Sequence, residues 1–183
     1  MKKFFLILFT VFFAGCGGRY SLPSGYNAAD FDIFIPVNIQ KQENKALCGL
    51  AAIEMVAGYY GKKPDKRFSS LLVKEAEMSK AITAASLKAC LEASGFDTAV
   101  FKGSLSKEKT SLYSHLNKKR PLIILASNRK NRPGHFIIIN GYKKDKCFTF
   151  IDPIFGPYVK EINEFLPLWK NGDFLTLLAL PKK

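Results

Sequence analysis

The sequence predicts a single α+β domain in which helices come first along the chain and an antiparallel sheet follows. Between residues 48 and 94, apolar side chains recur about every 3.6 positions, the period of a helix. After residue 96 they form short runs of strand length, separated by polar turns. Because helices and strands are segregated rather than alternating, the pattern indicates α+β and not α/β. A chain of 183 residues is typical of one domain.

The N-terminus precedes this domain and has the features of an export signal. Two lysines at positions 2 and 3 are followed by an apolar run, Phe4 to Phe13, that is too short to cross a bilayer well. Small residues and Cys16 come next. We therefore predict a signal peptide over residues 1–15, a short tether over 16–30 and the folded domain over 31–183.

The stretch Phe13-Ala14-Gly15-Cys16 resembles the bacterial lipobox. This resemblance implies that Cys16 receives lipid and becomes the new N-terminus. The alternative is ordinary secretion with Cys16 as a bystander. Because residue 17 is Gly and not Asp, the resemblance to the known sorting pattern favours the outer membrane over the inner membrane, with the domain facing the periplasm if the envelope is Gram-negative.

The charge balance limits the partners. Removal of residues 1–15 takes away 2 of the 28 basic residues and none of the 15 acidic ones, so 26 minus 15 leaves a net charge of +11. Such a surface attracts acidic partners, but export argues against nucleic acid. A solvated basic surface beside a negatively charged membrane is the simpler interpretation.

Local sequence patterns predict each helix and strand. An edge strand is predicted over 31–35 and a loop over 38–47. Helices are predicted from Cys48 to about residue 60, over 68–77 and from the Thr83 cap to Ser94. Strands are predicted over 96–101, 122–126, 135–142, 147–151 and 174–180, with a short helix at 112–116 and a helix over 163–171 that Pro167 interrupts.

Cys48 has the setting of a reactive thiol. It opens a predicted helix, and a helix N-terminus favours a thiolate. Its backbone N–H could bind the oxyanion that forms when a thiolate attacks a carbonyl. Gln42, six residues upstream in the loop, could donate a second hydrogen bond from its side-chain amide.

Two further residues could complete this chemistry. His135 opens an apolar strand, whereas His115 lies on a short amphipathic helix, so His135 is the better base. Asp152 ends the next strand. Two antiparallel strands joined by the turn at 143–146 would bring His135 and Asp152 to the same end of the sheet.

The remaining cysteines are interpreted as structural. Together with His115, Cys90 and Cys147 do not have a metal-ligand spacing, and no metal or cofactor is expected. In an oxidising compartment Cys90 and Cys147 are the pair that could form a disulfide.

The motif around these residues resembles that of the double-glycine leader peptidases, a family of the papain clan. The similarity lies in Gln42-Glu43-Asn44-Lys45-Ala46-Leu47-Cys48-Gly49-Leu50-Ala51-Ala52, Gly134-His135-Phe136-Ile137, Asn140-Gly141-Tyr142 and Ile151-Asp152-Pro153, and spans about residues 38–180. It implies a papain-like fold with Cys48 as nucleophile, His135 as general base and acid, Asp152 as the residue that orients His135, and Gln42 as oxyanion donor.

The expected function is hydrolysis of peptide or protein substrates by a membrane-anchored cysteine peptidase. One alternative is another thiol acyl-transfer enzyme, such as a cell-wall amidase or transpeptidase. The other is a binding lipoprotein that has kept the fold without turnover. The sequence does not specify the substrate or whether Gly-Gly is recognised.

Overall fold

The computed structural model describes residues 22–183 except residues 24, 43, 45, 107 and 131–133. The predicted signal peptide and Cys16 lie outside the described residues. Within the described chain no helix is both long enough and apolar enough to cross a bilayer.

The described residues form five α-helices, seven strands and a short 3-10 helix, Ala28–Asp30. The helices are α1 (Cys48–Tyr59), α2 (Lys66–Ser79), α3 (Ala84–Ala93), α4 (Leu112–Asn117) and α5 (Ile162–Asn171). The strands are β1 (Ile33–Phe34), β2 (Phe96–Lys102), β3 (Leu122–Ala126), β4 (His135–Lys143), β5 (Cys147–Asp152), β6 (Gly156–Glu161) and β7 (Leu175–Pro181). The α+β class is therefore confirmed.

The ends of the first helices follow the predicted signals. The Thr83 hydroxyl accepts a hydrogen bond of 3.1 Å from the Ser86 N–H and so caps α3. Gly61 and Gly95 follow α1 and α3 with φ of +69° and +83°, conformations that terminate a helix at low cost in glycine.

Two local predictions were wrong. Strand β6 was not predicted, because its residues are mostly half-buried and Pro157 stands near its start, so the two-residue alternation is weak. Pro167 was expected to interrupt the last helix, but α5 continues through it. A proline removes only its own backbone donor, and burial of Phe165 and Trp169 holds this helix to the core.

The strands form one antiparallel sheet in the order β2-β7-β3-β4-β5-β6. Strand β3 pairs with the first half of β4, and β1 pairs with the second half along the same edge. After β1 the chain runs back toward the start of β4, where the Gln42 N–H donates to the Pro153 carbonyl at 3.1 Å. The loop that precedes α1 therefore reaches the end of the sheet that carries His135 and Asp152.

A bulge at Asn140 interrupts the register between β4 and β5. Ile139 pairs with Phe150, but Gly141 pairs with Thr149, so Asn140 is one extra residue on β4. The Asn140 side chain is buried and satisfied, since it donates to the Ile35 carbonyl at 3.0 Å and accepts from the Thr149 hydroxyl at 2.9 Å. The bulge is therefore a built feature of the sheet and not a defect.

The core lies between the sheet and the helices. Helix α1 packs mainly on β4 and buries Ala52, Ile53, Met55 and Val56 there. On α5, Phe165 and Trp169 stack with ring centroids 5.3 Å apart, and Phe165 contacts Phe148 and Phe150 of β5. Cys48 on α1 and Asp152 on β5 are thus carried by well-packed elements.

Candidate active site

Cys48 is the first residue of α1, as predicted, and only 7% of it is exposed. The turn before it is held by Asn44, whose side-chain oxygen accepts from the Ala46 N–H at 2.9 Å and whose carbonyl accepts from the Leu47 N–H at 3.1 Å. The Cys48 sulfur accepts a hydrogen bond of 3.5 Å from the Phe136 backbone N–H. The sulfur therefore lies at the helix N-terminus and against the start of β4.

His135 and Asp152 are joined by a hydrogen bond of 2.9 Å between Nε2 of the ring and Oδ1 of the carboxylate. His135 begins β4 and Asp152 ends β5. Because Nε2 is engaged by Asp152, Nδ1 is the ring nitrogen left for the Cys48 thiol, which is near enough to raise the pKa of the ring. The three residues are thus within interaction range of one another.

The bulge decides that His135 and Asp152 share a face of the sheet. Without it, the register at the turn would place Asp152 opposite Ile138, whose side chain points away from the His135 face. With it, the register from Ile138–Ile151 places Asp152 opposite Ile137, on the same face as His135 and one diagonal step away.

The Asp152 carboxylate is buried and accepts three hydrogen bonds on Oδ1. Besides His135, the donors are the backbone N–H groups of Ile154, at 2.7 Å, and Phe155, at 3.2 Å. Burial by itself would raise the pKa of Asp152, but these donors and the charge of His135 hold the pKa below its ordinary value. Asp152 is therefore an ionised, fixed acceptor at neutral pH.

The environment of His135 favours the imidazolium. Burial lowers the pKa of His135, but the hydrogen bonds and charges of Asp152 and Cys48 outweigh it and raise the pKa to about 9. At neutral pH the ring is therefore mainly protonated, and it lies beside the Cys48 sulfur.

Gln42 lies next to the site through Pro153 but is not hydrogen-bonded to Cys48 in the described structure. Its Nε2 donates to the Asn44 carbonyl at 2.6 Å, while its Oε1 is buried without a hydrogen-bond partner. A side-chain amide has two donor hydrogens, so the second one remains available to a substrate oxygen.

Two cavities are lined by the candidate catalytic residues. A smaller one of about 250 Å³ is lined by Cys48, Gly134, Phe136 and the α2–α3 turn from Lys80 to Ala84. A larger one of about 590 Å³ is lined by His135, Asp152, Ile154, Phe155, Tyr158 and Leu168. Cys48 thus lines one cavity and the His135–Asp152 pair lines the other, and the two cavities together are called the cleft below.

The other candidate residues lie elsewhere. His115, on α4, contacts the Phe101 ring with centroids 5.5 Å apart, and burial together with Arg120 and Lys118 lowers the pKa of its ring.

Cys90 is fully buried in α3, whereas Cys147 begins β5, and both thiols are free. The disulfide allowed for this pair is therefore not formed in this structure. Within the described residues no group of three or more His, Cys, Asp or Glu side chains could hold a metal ion.

Three backbone donors at the site were missed from the sequence. The Phe136 N–H reaches the sulfur, and the Ile154 and Phe155 N–H groups hold Asp152. The signal for the last two was present, since an aspartate followed by proline often accepts from N–H groups two or three residues on.

Comparison with known proteins gives one family and a consistent fold. Residues 36–179 match the model of the peptidase C39 family. The peptidase domain of Streptococcus ComA, a bifunctional ABC transporter involved in quorum sensing, is 19% identical with a TM-score of 0.60, covering 79% of this chain and 98% of that one.

Two further structures are similar. A double-glycine-motif protease from an AMS/PCAT transporter, solved with its leader peptide, is 21% identical with a TM-score of 0.62, covering 82% of this chain and 96% of that one. A C39-like peptidase from Bacillus anthracis is 12% identical with a TM-score of 0.58, covering 82% of this chain and 98% of that one. A search of the curated proteins found no match.

Proposed function

The chain belongs to the peptidase C39 family of cysteine peptidases, and on that premise we propose that Cys48, His135 and Asp152 together hydrolyse peptide bonds in a domain held to a bacterial membrane by lipid on Cys16. The fold and family expected from the motif resemblance are thereby confirmed. The roles of the individual residues and the anchor are the proposal.

The thiolate of Cys48 attacks the carbonyl carbon of the scissile bond. The resulting oxyanion accepts hydrogen bonds from the Cys48 backbone N–H and from the free amide hydrogen of Gln42. His135 then gives its Nδ1 proton to the leaving amine, and an acyl-enzyme thioester remains.

Water completes the reaction. Neutral His135 takes a proton from a water molecule, the hydroxide attacks the thioester, and the acid product leaves as Cys48 and His135 return to their charged pair. Throughout, Asp152 keeps the Nε2–H donated to its carboxylate, so Nδ1 is the nitrogen that faces the sulfur.

The observation that carries this mechanism is the 2.9 Å bond between His135 and Asp152 beside the buried Cys48 sulfur. His115, Cys90 and Cys147 have no comparable partners among the described residues. The set of groups therefore supports acyl transfer through one thiol.

The substrate is a peptide or protein, as is typical of this family. The transporter protease that the chain resembles was solved with a leader peptide, which supports an extended peptide segment as the substrate of this chain. The proposed anchor and export signal support substrates in the bacterial envelope, with the domain on the periplasmic side of the outer membrane.

A thiol-labelling experiment tests the nucleophile. A peptide with an electrophilic carbonyl end should label Cys48 much faster than Cys90 and Cys147, which serve as internal controls, and labelling should abolish peptide hydrolysis. Cys48→Ala should lose turnover while keeping the fold, whereas Cys90→Ala should keep turnover. Equal labelling of all three thiols would favour a binding lipoprotein instead.

The substrate experiment separates a peptidase from a cell-wall enzyme. Envelope proteins and peptidoglycan stem peptides are treated with active protein or with Cys48→Ala, and new N-termini and released stem fragments are measured by mass spectrometry. New N-termini in proteins support the proposal. Release only from peptidoglycan would indicate an amidase or transpeptidase.

A further inference from the structure

We propose that the end of the domain opposite the active site rests on the phospholipid head groups, so that the catalytic cleft opens away from the membrane. This inference concerns how the anchored protein is oriented, and it rests on the proposed lipid at Cys16. It is carried by the place where the tether joins the fold and by the side chains around that place.

The part of the chain between Cys16 and the first described residue is too short to let the domain turn freely. From Cys16 to Leu22, the first described residue, the chain spans six residue steps, about 22 Å even when fully extended at about 3.6 Å per residue. Leu22 lies in a groove of about 550 Å³ with Phe31, Phe34 and Lys119. The face that contains this groove must therefore stay near the lipid.

The strand register places this groove far from the chemistry. Phe34 pairs with Gly141, near the end of β4 that is opposite His135. Strand β4 has nine residues, so its two ends are about 26 Å apart at about 3.3 Å per residue. Asp152 is likewise at the far end of β5 from the turn at 143–146.

The side chains around the tether suit a head-group surface. We define the tether-root surface as Tyr26, Lys118, Lys119, Lys144 and Lys146, all of them exposed. Its parts are contiguous: Tyr26 and Lys146 line one cavity of about 670 Å³, and the Lys144 N–H donates to Asp32, which shares the Leu22 groove with Lys119.

The charges of this surface favour anionic lipid only moderately. The orientation therefore depends mainly on the short link between Cys16 and Leu22. Asp30, Asp32 and Asp145 are also exposed here, but Asp30 and Asp32 already accept backbone N–H bonds at 2.6 Å and 2.8 Å. Within the described residues none of the four lysines forms an ion pair. Lysines near a membrane are attracted to anionic head groups, and tyrosine is enriched at the lipid–water boundary.

Lysine footprinting of the lipidated protein tests this orientation. The protein is reconstituted in vesicles of phosphatidylethanolamine and phosphatidylglycerol and acetylated briefly, and each lysine is quantified by mass spectrometry. The reference is the same chain from Gly17 without lipid, in solution. We expect the four lysines of the tether-root surface to react several-fold more slowly on vesicles, and Lys80 and Lys130 at the catalytic end to react unchanged.

A spacer variant supplies the second arm. Insertion of a long flexible Gly-Ser segment after Gly18 should restore the reactivity of the four lysines, because the lipid no longer holds this face down. Preferential protection of Lys80 and Lys130, or equal protection everywhere, would overturn the proposal. If the mass of the intact protein shows no attached lipid, both this orientation and the lipid anchor are wrong. If peptide hydrolysis is absent but the lysine footprint is as expected, only the peptidase mechanism is contradicted.

Discussion

The two ring nitrogens of His135 have different partners, and this division explains the electrostatics of the site. Nε2 donates to Asp152, while Nδ1 is left for the thiol of Cys48. The same two partners raise the pKa of the ring to about 9 against the effect of burial. The imidazolium form of His135 is therefore present through the neutral range and is lost as the pH rises through about 9.

Asp152→Asn should move the alkaline limit of activity to lower pH. The substitution removes a charge and a strong acceptor that raise the pKa of His135, so the ring deprotonates earlier. We expect kcat/KM to fall at neutral pH, while KM changes little. The pH profile of kcat/KM for both proteins checks this, and an unchanged alkaline limb would contradict the role of Asp152.

Gln42→Ala should lower kcat by about a hundredfold or more, the usual effect of removing one oxyanion donor. Gln40→Ala is the matched control, because Gln40 is exposed on the same segment two residues earlier. The kcat values and the unfolding temperatures are compared. If both variants had the activity of the unaltered protein, Gln42 would not be the donor.

At the scale of elements, the bulge in β4 affects both the packing of the sheet and the position of Asp152. Asn140 takes up the extra residue, and Gly141 leaves room for β1 and for the Thr149 hydroxyl. The register beyond the bulge brings Asp152 to the His135 face. Sheet packing and catalytic geometry therefore depend on the same two residues.

Gly141→Ala should destabilise the fold and reduce activity. The new methyl group would lie 2.6 Å from the Thr149 oxygen and even closer to the Ile33 carbonyl, a clash with backbone that costs about 1–3 kcal/mol. Gly58→Ala is the control, since it is an exposed helical position with open space around it and should be stabilised by about 0.4–1 kcal/mol.

Denaturant unfolding followed by the fluorescence of Trp169, the single buried tryptophan, measures both variants. A Gly141→Ala protein as stable as the unaltered one would show that β1 and β4 can separate without cost. That result would remove the bulge from the explanation of the site.

At the scale of the whole molecule, the proposed lipid anchor raises the question of which way the domain faces. Leu22 and Phe31 lie beside the end of β4 that is opposite His135, so the start of the described chain and the candidate catalytic residues are at different ends of the sheet. We therefore expect the proposed anchored enzyme to take its peptide from the aqueous side.

Cys16→Ala should abolish lipid attachment. Cells grown with radioactive palmitate should yield labelled protein from the unaltered gene and from Cys147→Ala, but unlabelled protein from Cys16→Ala. Label that persists in Cys16→Ala, or that never appears in the unaltered protein, would contradict the anchor at this position.

Most helices and strands could be predicted because their signals are local. The helical period, the Thr83 cap, the glycines after α1 and α3, and the apolar runs of β3 and β4 are each contained in a short window of sequence. Strand β6 and the continuation of α5 through Pro167 were missed, because packing with distant residues outweighs weak or contrary local signals.

The sequence by itself determined the class of fold, the family motif and the chemical types of Cys48, His135 and Asp152. Only the tertiary structure decided which face of the sheet Asp152 occupies, which ring nitrogen of His135 it binds, and that Cys90 and Cys147 stay apart. The reason is physical. Successive side chains of a strand point to opposite faces of the sheet. The bulged residue Asn140, which is hydrogen-bonded to Ile35 and Thr149, therefore brings Asp152 to the face of His135, whereas an unbroken register would place it on the other face.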